Sequence, residues 1–261
     1  MDSDQRLQQT ADRLGIRPEQ MPRHLAIIMD GNGRWAQAQS LARAEGHIEG
    51  AKTAEKVALA CSRAGIRSLT LYSFSVENWK RPRDEVDGLM SLYEEYLISM
   101  GPMFMREDVR VLHLGRRTEL PESVQTELVK TIERTRINEG MTLALALNYG
   151  GRNELIDATR AIAEKCVQSE LSVDDIDEDC INQHLYTASM PDPDLVIRTA
   201  NELRISNFLL WQISYSEFYV TKTFWPDFDE QELDRAILDY AGRDRRFGAL
   251  TDEPVKSNAE E

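Results

Sequence analysis

Six short runs of β-forming apolar residues, alternating with longer amphipathic stretches, constrain this 261-residue chain more than any other feature. The runs are His24–Met29, Ser68–Phe74, Val109–Leu114, Thr142–Leu147, Leu195–Arg198 and Ser216–Thr221. Helical patterns fall at about 46–64, 83–100, 121–138, 152–168, 174–186 and 206–213. Such alternation predicts an α/β fold with a mainly parallel sheet covered by helices on both faces. No Pro/Gly/Ser-rich linker or internal repeat divides the chain, so one domain is expected over 21–248. The polar ends, 1–20 and 249–261, are expected to be loose.

Composition narrows the function. Hydrophobic residues make up 41% of the chain, enough for a sizeable core. The net charge of −14 disfavours nucleic acid, whose phosphate backbone rewards a basic face, and simple adhesion to an anionic membrane. Aromatics, at 7%, give no sign of a stacking surface. The three cysteines, Cys61, Cys166 and Cys180, form no CxxC pair, and residues 1–20 lack an apolar core of the signal-peptide kind. No apolar stretch approaches the roughly 18–20 residues that span a bilayer. A soluble, cytoplasmic protein with reduced thiols is expected.

One helical segment stands out. Residues 83–100 place Val86, Leu89, Met90, Tyr93, Leu97 and Met100 at spacings of three and four. The stripe suits a helix packed on the core; a lipid substrate would make it the wall of a hydrophobic tunnel.

Three polar clusters follow predicted strands, where open α/β sheets bind ligands. The first is Asp30-Gly31-Asn32-Gly33-Arg34-Trp35. It reads either as a tight turn or as a place where backbone N–H groups approach an anion, with Arg34 and Arg43 offering forked donors to phosphate. Asp30 would repel that phosphate unless a cation such as Mg²⁺ lay between them. The motif is neither a Walker loop nor a GxGxxG fingerprint. The second, Phe74-Ser75-Val76-Glu77-Asn78-Trp79-Lys80-Arg81-Pro82, mixes hydrogen-bonding, cationic and aromatic side chains. It suits either a binding loop or a capped lead into the helix that starts with Asp84 and Glu85. In the third, Arg198 and Arg204 flank a polar loop and Ser206 stands where a helix N-cap would, a cradle for a diphosphate. Glu217 follows in an apolar strand and suits either an ion-paired acid or a metal ligand. Arginines at three strand ends of an acidic protein call for an anionic partner, so the residues point to a phosphate-rich small molecule with a divalent cation.

Together the segments HLAIIMDGNGRWA, LTLYSFSVENWKRP, LALNYGGRNEL, DLVIRT, ELRISNFLLWQ, WPDF and RDRRFG resemble the undecaprenyl diphosphate synthase (cis-prenyltransferase) family, from about His24 to Gly248. The resemblance implies an α/β domain, a homodimer and a hydrophobic tunnel beside the sheet. By that likeness Asp30 binds Mg²⁺ and Glu217 completes the metal site. Gly33, Arg34 and Arg43, with Gly31, Asn32 and Trp35 in the same loop, hold an allylic diphosphate. Arg198, Arg204 and Ser206 hold isopentenyl diphosphate. His47, Ser75 and Asn78 lie near the reacting ends, with Asp30, Asn78 and His47 the catalytic candidates, while Phe74, Trp79 and Arg81 shape the site. Arg246 and Gly248 reach a partner subunit. Peripheral contact with the inner face of a membrane would aid release of a long product.

The implied reaction is loss of diphosphate from the allylic substrate, attack by the isopentenyl double bond and removal of a proton. The small Ser73 leaves the tunnel mouth open and favours a long product over a short or medium one. One departure stands out: Ala200-Asn201 replace a small, Gly-containing pair common after the Arg-Thr of relatives, which puts the diphosphate loop in question if it needs φ > 0. A noncatalytic subunit of the same fold is disfavoured because the Asp and arginines are kept. The acidic run Asp174–Asp179 superficially resembles the metal motif of trans-prenyltransferases, but it suits a helix start.

Overall fold

Strand β1, His24–Ile28, lies near the middle of the sheet, paired in parallel with β2, Ser68–Ser75, on one side and with β5, Leu195–Arg198, on the other. The computed structural model, which describes residues 2–243, extends this to six parallel strands in the order β3-β4-β2-β1-β5-β6. Strands β3, β4 and β6 are Arg110–Leu114, Thr142–Tyr149 and Glu217–Val220. All six strands fall where the apolar runs predict them. The order turns around β1: the chain leaves β1 toward β2 and returns on its other side as β5. The crevice at their carboxyl ends is therefore the topological switch point where ligands of such sheets bind.

Alternation along the strands builds two unlike layers. Leu25, Ile27, Leu69, Leu71, Leu143, Leu145, Leu195 and Ile197 face a thick core shared with the long helices α3 (Arg43–Arg63), α4 (Arg83–Arg106) and α5 (Glu122–Thr135). Their neighbours Ala26, Ile28, Ala144, Ala146 and Val196 face the other way, where small side chains let Phe208, Leu209 and Ile213 come close. Helix α6, Gly151–Val167, follows β4.

Several expectations are corrected. Residues 206–213 form consecutive turns instead of a helix, with positive φ at Ser206 (49°), Asn207 (61°) and Leu209 (46°). Burial of Phe208 and Leu209 against the alanine-rich sheet face wins over the helical pattern, and the Asn207 side chain accepts from Arg152 N at 2.9 Å. Ser206 is thus no helix N-cap. The stretch 174–186 yields only the short α7, Glu178–His184, after a 3₁₀ turn at Val173–Asp175; Asp177 caps α7 by accepting from Cys180 N. Residues 2–20 are not loose. Helix α1, Ser3–Leu14, is capped by Asp2 and Gly15 and tied to α3 by Arg6 NH1 on the Ser62 hydroxyl (3.1 Å). Helix α8, Glu230–Ala241, is not among the expected helices, although Asp229 three residues before Glu232, ahead of Leu233, Ala236, Ile237 and Tyr240, is a start signal. Arg246, Gly248 and the tail 249–261 lie outside the described residues. No helix among the described residues is long and apolar enough to cross a membrane.

His24 shows what the buried sheet end demands of a titratable side chain. Its Nδ1 donates to the Pro191 carbonyl (2.7 Å) and its Nε2 accepts from the Thr70 hydroxyl (2.8 Å), which is the pattern of a neutral ring. Burial pushes its pKa down to about 4. The unfolded chain takes up this proton near pH 6.5 and the folded chain only near 4, so stability falls as pH drops through that window. The loss from this group is about 3 kcal/mol once pH is below both values. Urea unfolding at pH 7 and pH 5 is expected to show the decline, and His24→Asn to flatten it; equal slopes in both proteins would rule this source out.

Candidate active site

Asp30 follows β1 directly, and its backbone is held from two sides. Its N–H donates to the Thr199 hydroxyl (2.8 Å), while its carbonyl accepts from that hydroxyl (2.6 Å) and from Trp225 N (3.0 Å). Thr199 is fully buried at the end of β5. The Asp30 carboxylate is thereby aimed at the carboxyl-end crevice, where Arg198 NH2 meets it at 2.9 Å, Arg34 NH2 at 3.4 Å and Arg204 NH2 at 3.9 Å. Arg198 is buried, with NH1 donating to Ser206 Oγ (2.7 Å) and to the Arg204 carbonyl, and with Nε unpartnered. Glu202 takes the other charges of the group, pairing with Arg34 (3.0 Å) and with Arg204.

The backbone here has little freedom. Gly31 has φ of 107°, and a Cβ on it would stand 2.8 Å from the Phe224 ring and 3.0 Å from the Ala200 methyl. It ends the expected turn and starts helix α2, Asn32–Ala38. A Cβ on Gly33 would strike the Arg43 guanidinium at 2.8 Å. Ala200 and Asn201 do occupy the left-handed region, at φ of 66° and 56°. Asn tolerates it; Ala200 costs about 1 kcal/mol relative to Gly and is held there by N–H donation to the Thr223 carbonyl (2.8 Å).

A second group forms around Glu85 in the first turn of α4. Its Oε1 accepts from Arg43 Nε (2.9 Å), Arg81 NH1 (3.1 Å) and His47 Nε2 (3.3 Å). Burial acts upward on Glu85, but Arg43, Arg81 and His47 outweigh it and hold its pKa below the ordinary carboxylate range. Burial, helped by Arg81 and Arg43, pulls His47 below the ordinary imidazole range against the pull of Glu85. After β2, the Asn78 side chain accepts from Ser75 N (3.0 Å), and Trp79 donates to Asn148 (2.7 Å) while lying edge-on to Phe74.

These groups rim a cavity of 620 Å³ with a polar mouth and an apolar interior. Asp30, Asn32, His47, Ser75, Asn78, Arg81, Arg198, Arg204 and Ser206 all line it, together with Ser73. Deeper, the walls are Leu71, Leu145 and Leu147 of the sheet, Ala51 and Ala54 of α3, Leu128 of α5, and Leu89, Tyr93 and Leu97 of α4. The α4 stripe is thus both core and cavity wall. Leu97 lies twelve residues beyond Glu85, about 18 Å along the helix. Arg34 and Arg43 reach the mouth through Asp30 and Glu85, whereas Gly31 and Gly33 act by letting neighbours approach. Trp35 turns away to Asp227 (2.7 Å), and Trp79 braces the loop from outside the cavity.

Glu217 is a correction. It aligns across β5 and β1 with Leu195 and Leu25, so it sits at the amino ends of the strands. Asp30 lies five residues further along, roughly 16 Å away in the strand direction. Glu217 is instead paired with Arg243 at 2.6 Å, and within one chain the two acids cannot share an ion. Among the described residues no three His, Cys, Asp or Glu side chains gather as a metal-ligand set. Glu85, Glu202 and Thr199 were missed as site residues. Glu202, an acid between two arginines, carried some signal; the others depend on contacts distant in sequence.

A family model described as "Putative undecaprenyl diphosphate synthase" matches residues 28–248. A Micrococcus luteus protein named ditrans,polycis-undecaprenyl-diphosphate synthase ((2E,6E)-farnesyl-diphosphate specific) is 48% identical over 90% of this chain and 94% of its own length. An isoprenyl transferase of Clostridium perfringens is 47% identical over 89% of this chain and 92% of its own. Lavandulyl diphosphate synthase from Lavandula x intermedia, solved with dimethylallyl diphosphate, superposes with a TM-score of 0.87 at 39% identity, covering 88% of this chain and all of that one. A probable undecaprenyl diphosphate synthase from Campylobacter jejuni gives a TM-score of 0.72 at 33% identity, covering 87% and 99%.

Asp30 offsets the charge of three arginines, one of them buried. Asp30→Ala is therefore expected to lower stability by about 1–3 kcal/mol. In urea unfolding the deficit is expected to shrink when inorganic pyrophosphate supplies the missing negative charge; a variant as stable as the parent would show that the ion pair is not structural.

Proposed function

The chain belongs to the undecaprenyl diphosphate synthase family and is a cis-prenyltransferase, and we propose that it extends farnesyl diphosphate with isopentenyl diphosphate to an undecaprenyl-length product. The observation that carries this reading is a cavity whose mouth gathers Asp30 and several arginines while its interior is apolar. A diphosphate joined to a prenyl tail has that same division. The M. luteus relative, named for a farnesyl starter and an undecaprenyl product, supports the choice within the family.

In this reading Arg34, Arg43 and the Gly33 backbone hold the allylic diphosphate, with Asn32 beside them. Arg198, Arg204 and Ser206 hold that of isopentenyl diphosphate. Arg81, Ser75 and Asn78 keep the reacting ends together. Asp30 suits Mg²⁺: it is a carboxylate at the rim of a cavity that would bring phosphate oxygens, and Mg²⁺ favours few protein ligands completed by phosphate and water. When bound, the ion neutralises charge that develops on the departing diphosphate. The C–O bond of the allylic substrate breaks, the isopentenyl double bond attacks the allylic carbon, and a proton leaves the new unit to give a cis double bond. The arginines stabilise the charge on the leaving diphosphate. Two groups at the mouth can take that proton: His47 and the released diphosphate.

Each added unit brings five carbons, and burial contributes roughly 0.8 kcal/mol per CH₂. Release of a long product into a membrane then limits turnover, with the protein in the cytoplasm and touching the membrane peripherally. The edge strand β6 and the exposed Leu203, Tyr215 and Phe218 beside it suit burial against a second copy of the chain.

Incubation with farnesyl diphosphate, labelled isopentenyl diphosphate and Mg²⁺ is expected to give a ladder ending near the undecaprenyl length. Asp30→Ala and chelation of Mg²⁺ are each expected to abolish it, and Ser73→Phe to shorten it. Detergent is expected to raise the steady-state rate and leave the single-turnover rate unchanged. A single short product from the parent would overturn the assigned length. For the dimer, Leu203→Glu is expected to halve the mass measured by sedimentation equilibrium; a parent that sediments as a monomer would remove that part of the reading.

A further inference from the structure

Glu85 gathers three donors beside the cavity mouth, and the proposed reaction leaves it without a role. Its side chain, 17% exposed, collects Arg43 from α3, Arg81 from the loop after β2 and His47 from α3 on one oxygen. A helix-terminal acid needs one partner, and an acid in a first turn is already favoured by the helix dipole. Three donors converging on one oxygen is the arrangement that a phosphate oxygen would attract. The site also governs the start of α4. Pro82, the residue at its N-cap, makes no side-chain capping bond, so the contacts of Glu85 tie this first turn to α3. Later turns of the same helix form the cavity wall through Leu89, Tyr93 and Leu97.

We propose that Glu85 is a positioning residue that stands in for a diphosphate oxygen in the ligand-free chain, holding Arg43, Arg81 and His47 gathered until a diphosphate displaces it. The inference rests on the reading above that Arg43 holds a diphosphate and that Arg81 lies beside the reacting ends. Three consequences follow from the exchange. The affinity for diphosphate is lower than the arginines alone would give, because each arriving phosphate group displaces an existing partner. The first turn of α4 is released from α3 when substrate is bound, which loosens one wall of the cavity as the tail enters. The same exchange helps the spent diphosphate leave, since Glu85 returns to its donors.

The test uses the full chain and inorganic pyrophosphate as the probe. Glu85→Gln keeps the shape and removes the charge, whereas Asp84→Asn makes the same charge change at an exposed position in the same turn. Calorimetry is expected to show pyrophosphate binding about ten-fold tighter in Glu85→Gln and less than two-fold tighter in Asp84→Asn. Hydrogen exchange across residues 83–92 is expected to quicken on pyrophosphate addition in the parent, and in Glu85→Gln to be fast without it. Equal affinities in the two variants, or weaker binding in Glu85→Gln, would overturn the proposal, as would exchange in 83–92 that ignores both pyrophosphate and the substitution. A parent that neither binds pyrophosphate nor makes prenyl product would instead remove the functional reading beneath it.

Discussion

The contact between Asp30 and Arg198 joins the two strands whose carboxyl ends make the site. Ile28 and Arg198 are paired in register, so the acid that follows β1 and the arginine that ends β5 meet across a 2.9 Å gap. A buried guanidinium needs a counter-charge, and once Asp30 supplies it, the loops beyond both strands have fixed starting points. Thr199 then clamps the Asp30 backbone, Ser206 takes the other side of Arg198, and the tight turns of 206–213 fall onto the alanine-rich face of the sheet. The cavity mouth is the space left between these loops and the one after β2.

The same requirement recurs around the mouth. Arg34 and Arg204 meet Glu202, and Arg43 and Arg81 meet Glu85. An enzyme that must hold diphosphates close to one another needs a dense set of cations, and without acids among them the empty site would be destabilised by its own charge. Acids that a substrate can displace solve this without burying an unpaired charge. They also keep the flexible arginine side chains near their working positions, which lowers the ordering cost of binding. The apolar half of the cavity follows a different logic: it is lined by α4, a helix anchored to the core through Val86, Met90 and Met100 while its neighbouring face stays open to the tail.

Much of this was legible along the chain. The strands could be read because each is a buried, continuous apolar run, and a parallel sheet has no other way to cover both faces. Asp30, Arg198, Arg204, Ser206, Ser75 and Asn78 could be placed because they end such runs or lie within eight residues after them, and strand ends converge whatever the crossovers do. The positive φ at Ala200 and Asn201 was open to anticipation from the loop's composition. The helical pattern of 206–213 misled, since its apolar residues are spaced to cover a sheet face in turns as well as in a helix, and local periodicity cannot tell the two apart.

By itself the sequence determined the α/β class, the six strands of a mainly parallel sheet and the membership of the three arginine-bearing clusters in one site, because each depends on local pattern and on the shared polarity of the strands. Only the tertiary structure decided which charges meet. It separated Glu217 from Asp30 by placing them at opposite ends of the sheet, although both flank apolar strand residues. It made Glu85 the partner of Arg43, 42 residues away in the chain, and docked the polar N-terminal segment as a helix on α3. Pairings of this kind depend on register and on the crossing of helices over the sheet, which no window of the sequence contains.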